Sequence, residues 1–162
     1  MWGFYNELLD SLSKVIMLNL EKQEKKQPKF LSLFDFEFQE LVNVGLDLIQ
    51  EGDIDSAILF FQELSLSSPH SSLSYFYLGN LHTIKDDLDL AVGYYSLAYE
   101  VNDNPLLTAR LPCKVLSTLV SMHTVDKEIL SLWLERTKEF SDTYSCDELL
   151  ICDYAQRVIS SK

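Results

Sequence analysis

The chain has 162 residues, 47% of them hydrophobic, and a formal net charge of −12. That length and apolar content support one buried core and exclude disorder throughout. The charge is localised: residues 31–104 hold 13 acidic side chains and one basic one, Lys85, whereas residues 1–30 sum to +1 and residues 105–162 to −1. A field of that sign repels phosphate backbones, which disfavours nucleic acid as a partner, and attracts a neutral or basic protein segment. It serves equally well as a solubilising surface.

Three cysteines, Cys113, Cys146 and Cys152, match no zinc or redox spacing and read as reduced thiols of a cytoplasmic protein. No segment reaches the roughly 18 uninterrupted apolar residues of a membrane helix, and MWGFYNELLD has none of the layout of a secretory signal. A membrane partner is therefore not expected.

In chain order, residues 1–22 place Trp2, Tyr5, Leu9, Leu12 and Ile16 at helical spacing, with polar residues between them. An amphipathic helix follows from that stripe, which must bury itself in a dimer contact or across the protein's own end. Residues 23–31 are polar, lysine-rich and broken by Pro28, the composition of a linker. From Ser32 the pattern is helix, turn, helix, with Ser32 or Asp35 as cap and Glu51-Gly52-Asp53 as the turn; Pro69 stops the unit. A second helical pair follows, with Lys85-Asp86-Asp87 as its turn and Asn102-Asp103-Asn104-Pro105 as its terminator.

The two pairs are related. Moving back 34 residues from Gly79, Ala91 and Tyr95 lands on Gly45, Ala57 and Phe61 without a gap. The small residues let paired helices approach, and Phe61 and Tyr95 are expected to fill the space between hairpins, with Ala98 adding a further small contact. A third, degenerate copy starts near Leu106: another shift of 34 puts Cys113 at the glycine position, Val125 at the alanine and Ile129 at the aromatic. Ser145-x-x-Glu148 is a capping box that opens a final helix within residues 143–162. The expected fold class is all-α, with about eight helices and no strands.

The period and pattern resemble the tetratricopeptide repeat, in which small and aromatic residues recur at fixed places. The resemblance implies an array over residues 32–142 whose first helices line a concave, peptide-binding face. Helical spacing then puts Val42, Leu46 and Ile49 on that face in the first copy, Leu73, Phe76, Asn80 and Thr83 in the second, and Arg110 and Lys114 in the third. Such a lining suits the apolar anchors of a partner peptide, with hydrogen bonds from Asn80.

Two repeats, a degenerate third, an N-terminal helix and a helical tail also resemble the class II chaperones of bacterial type III secretion systems, most specifically in DLAVGYYSLAYEVNDNPLLTARLPCKVL, residues 89–116. That resemblance implies a homodimer formed partly through the N-terminal helices. It also implies a hydrophobic translocator subunit held in the groove before export from the bacterial cytoplasm. A general tetratricopeptide scaffold without a secretion role is the other reading of the same residues. An enzyme is not expected: His70, His82 and His123 are scattered, and no paired nucleophile, metal-ligand spacing or phosphate loop accompanies them. No cofactor or metal is expected either.

Overall fold

A computed structural model describes residues 30–122 and 126–161. The segment carrying Trp2, Tyr5, Leu9, Leu12 and Ile16 lies outside the described residues, as do most of the linker, Val125 and His123. Among the described residues the chain is all-α, without a strand. The helices are α1 (Phe30–Gln50), α2 (Ile54–Ser67), α3 (Ser72–Ile84), α4 (Leu88–Val101), α5 (Pro105–Ser121), α6 (Lys127–Lys138) and α7 (Cys146–Ser160), with a short 3-10 turn at Ser141–Thr143. Because α1 begins at Phe30, Ser32 and Asp35 lie inside its opening turns rather than at its cap, and Phe30 and Leu31 belong to the helix instead of the linker. None of the described helices is long and apolar enough to cross a membrane.

The chain divides into two compact units, residues 1–68 and 69–162. The first contains the α1/α2 hairpin. Its turn uses Gly52 at φ +81°, a left-handed conformation that glycine adopts without steric cost. Asp53 then caps α2 by accepting from the Ser56 N–H at 3.2 Å and the Ser56 hydroxyl at 2.8 Å. Gly45 lies against the second helix so closely that a Cβ built on it would sit 2.6 Å from Phe61 Cε2 and 3.0 Å from Phe60 Cδ1. Val42, Leu48, Ala57, Phe61 and Leu64 are buried around that contact. Val42 is thus corrected from the groove to the core: it stands one turn before Gly45 on the inward face and is 0% exposed.

The second unit opens with the α3/α4 hairpin, where the same contact recurs. A Cβ on Gly79 would lie 2.5 Å from Tyr95 Cδ1. Phe61 and Tyr95 therefore fill the glycine notch of their own hairpin, and Tyr95 also joins the core that α4 shares with α5 of the next hairpin. Asp86 at φ +62° and Asn102 at φ +51° end their helices in the left-handed region that short polar side chains tolerate. Asp103 Oδ1 accepts from the Ser72 N–H at 3.0 Å, tying the loop after α4 to the start of α3.

The core of this unit gathers around α5: Ala91, Tyr95 and Ala98 from α4, Leu111, Val115, Leu116 and Leu119 from α5, Leu130, Trp133 and Leu134 from α6, and Ala155 from α7. The third hairpin exists, but its register departs from the 34-residue shift. Ile129 is exposed, while Leu130, Leu134 and Thr137, each 39 residues after Ala91, Tyr95 and Ala98, are the inward residues. The cause is length: α5 has 17 residues where α3 has 13, so α6 starts later. Pro112 lies inside α5 and is buried there, at the cost of one backbone hydrogen bond to the preceding turn. The Tyr144 hydroxyl donates to the Ala109 carbonyl in that turn. The capping box at Ser145 and Glu148 forms with both of its bonds present.

Candidate functional site

Within the second unit, α3 and α5 touch side by side with α4 packed on both. Phe76, Asn80 and Thr83 project from α3 at helical spacing, so they share one side of it. Phe76 is half-buried; its ring lies 6.2 Å from that of Tyr95 and 5.5 Å from that of Tyr77, and Lys114 Nζ of α5 stands 6.0 Å from its centroid. That last distance is at the outer limit of a cation–π contact.

Tyr95 organises the polar half of the site. Having filled the Gly79 notch with its ring, it donates its hydroxyl to Asn80 Oδ1 at 2.6 Å, and Thr83 Oγ1 lies 3.3 Å from the same hydroxyl. Thr83 in turn donates to the Gly79 carbonyl at 2.9 Å. Burial raises the Tyr95 phenol above its ordinary range, partly offset by the Thr83 hydrogen bond, so it remains a neutral donor. With its oxygen engaged, the half-buried Asn80 keeps its NH₂ group as the end turned away from Tyr95. A ring, two amide donors and a cation are thereby brought together. They match what an extended, largely apolar segment presents: side chains to bury and main-chain carbonyls to satisfy.

The remaining sequence-predicted residues divide. Leu73 is half-buried on α3. Arg110 is drawn elsewhere: its Nη1 is 3.6 Å from Glu148 Oε1, at the capping box of α7. Glu148 is held below its ordinary range chiefly by the Ser145 backbone N–H, with the Arg110 charge contributing less. Leu46 and Ile49 are half-buried on α1 in the first unit.

Sequence reasoning assigned Tyr95 to packing alone and missed its hydroxyl as the group that orients Asn80. The signal was present, since Phe61 at the matching place lacks a hydroxyl and Leu46 stands where Asn80 does. It also missed Tyr144. Burial first, and then the neighbouring Cys113, Cys152 and Glu148, push the Tyr144 phenol up, and burial raises the Cys113 thiol from 9.0 to about 11.

His82 is buried and stacked on Tyr94, with ring centroids 5.3 Å apart and an interplanar angle of 11°, and its Nδ1 lies 3.5 Å from Asp87 Oδ2; His70 is exposed. Among the described residues no group of three or more His, Cys, Asp or Glu side chains is placed to hold a metal ion. No protein-family model matches the chain, and no curated protein matches it.

Proposed function

We propose that the protein is a peptide-binding chaperone of the tetratricopeptide type that holds an apolar segment of a type III secretion translocator in the bacterial cytoplasm until export. The observation that carries this reading is the half-buried Phe76 beside an Asn80 amide held by Tyr95, with Lys114 over the ring. The recurrence of the glycine–aromatic contact at a 34-residue interval supports the repeat reading. The acidic stretch at residues 31–104 supports a neutral or basic polypeptide as the ligand. Affinity resides mainly in apolar burial at Phe76, so it varies little with salt.

The test is co-expression with a candidate hydrophobic translocator from the same operon, using the wild type and Phe76→Asp after circular dichroism confirms that the variant is folded; the absence of such a neighbouring gene favours the scaffold reading instead. Co-purification falls by about tenfold or more in the variant. A folded Phe76→Asp protein that recovers the partner at wild-type yield removes the α3 face as the binding site.

A further inference from the structure

Helix α4 is apolar on nearly every side: apart from Asp89, Ser96 and Glu100, its residues are aliphatic, aromatic or glycine. Ala91, Tyr95 and Ala98 face the core, yet Leu90 and Leu97 on the other side are 52% and 50% exposed. A helix that is apolar all round is ordinarily covered all round. Between the two leucines on the exposed face lies Gly93, where an added Cβ would meet nothing within 4 Å. Unlike Gly45 and Gly79, this glycine answers no packing need inside the fold. Leu90, Gly93 and Leu97 stand at i, i+3 and i+7, so together they form a ridge with an open notch at its middle.

The charges around the ridge identify what fits it. Residues 85–104 carry five carboxylates and one cation, Lys85. Glu100 is 3.5 Å from Arg136, Asp103 caps α3, and Asp87 faces His82. Asp86 and Asp89, at the start of the ridge, are exposed and enter no ion pair among the described residues. A second copy docked in parallel on the same ridge would set Asp86 and Asp89 against their own counterparts, with only two leucines from each partner to offset the repulsion.

We infer that the outer face of α4 docks an amphipathic helix of a different protein, with a leucine-rich face over the ridge and lysine or arginine over Asp86 and Asp89. The apolar contact supplies affinity and the charges set orientation, as in other helix-on-helix recognition. This surface is on the opposite side of α4 from Tyr95 and is independent of the Phe76 site.

The experiment uses the full chain and a labelled synthetic amphipathic peptide of leucine and lysine, alongside the same peptide with glutamate in place of lysine. The lysine peptide binds the wild type and the glutamate peptide does not. Leu90→Gln/Leu97→Gln weakens binding by about tenfold or more. Gly93→Leu does so too by filling the notch, while its higher helix propensity keeps the fold intact. Asp86→Asn/Asp89→Asn weakens binding and flattens its salt dependence, and each of these losses persists in a Phe76→Asp background.

Equal binding of the lysine peptide to wild type, the leucine double variant and Gly93→Leu would reduce the effect to bulk charge and overturn the inference. So would binding of both peptides alike, or disappearance of the ridge variants' losses in the Phe76→Asp background. Self-association of the wild type that the leucine double variant abolishes would make the ridge a contact between copies, which also overturns it.

Discussion

Phe61 in the first unit and Tyr95 in the second occupy matching places, each against a glycine of the preceding helix. Their settings differ as a set. Advancing 34 residues turns Leu46 into Asn80 and Ile49 into Thr83, so the first hairpin has phenyl, leucine and isoleucine where the second has phenol, amide and hydroxyl. The packing solution is shared, and the polarity changes at all three positions together. A buried hydroxyl needs partners, so one tyrosine in place of phenylalanine calls for acceptors nearby. The difference separates two roles: the notch holds a hairpin shut, and the network above it equips the second hairpin alone for directional hydrogen bonding.

The comparison can be broken hardest at the glycines. Gly79→Leu and Gly45→Leu each force a side chain into an aromatic ring and cost about 1–3 kcal/mol or more. Gly79 should be the more sensitive, because its opposing ring is tethered through Asn80 while Phe61 carries no hydroxyl to anchor it. Chemical denaturation of both variants checks this, and equal or reversed losses would mean that the tether adds no rigidity.

Exchanging the aromatics has a smaller effect. Phe61→Tyr brings a hydroxyl to a place matched by Leu46 and Ile49 and destabilises by about 1–3 kcal/mol, and adding Leu46→Asn restores part of the loss. Tyr95→Phe leaves Asn80 Oδ1 without its donor and costs about 1 kcal/mol. A double-mutant cycle that finds Phe61→Tyr and Leu46→Asn strictly additive would deny that the three positions act together.

The mildest expected effect is a response to alkali centred on Cys113 and Tyr144 of the second unit. Residues 30–68 contain no cysteine, tyrosine or lysine, whereas in the second unit Cys113 is buried and Tyr144 half-buried. Both folded groups hold their protons more tightly than the unfolded chain does. For Cys113 the stability is complete below the ordinary thiol value of 9.0 and is lost as pH rises through about 11, and for Tyr144 the loss starts only as pH passes the ordinary phenol value of 10.0. Denaturation midpoints recorded across that range should fall, and Cys113→Ala with Tyr144→Phe should flatten the decline.

Much of this fold was legible because its rules are local. Gly52, Lys85 to Asp87, Asn102 to Pro105 and the Ser145–Glu148 box fixed turns and caps through backbone geometry, which acts over a few residues. The in-register glycines and aromatics located two hairpins because a close helix approach excludes a Cβ. What failed depended on length or on partners distant in sequence. Ile129 was assigned by a fixed period that a longer α5 had already shifted, and Val42 was assigned by angular spacing without the neighbours that bury it. Of the site, Phe76, Asn80, Thr83 and Lys114 were placed by helical spacing, while the Tyr95 hydroxyl joining Asn80 to Thr83 needed coordinates.

The hydrogen bond from Tyr144 to the Ala109 carbonyl bears on modularity. Stacked helical hairpins are usually exchangeable units, each contacting only its neighbours. Here an acceptor in α5, the Ala109 carbonyl, is engaged by a residue 35 positions later, beyond the intervening helix α6. A hairpin grafted in place of α5 and α6 would have to present the same carbonyl at the same place, or leave the Tyr144 hydroxyl without its acceptor. Recombination that respects hairpin boundaries would then still cut through a working contact, so α5, α6 and the tail that begins at Tyr144 must be inherited as one piece.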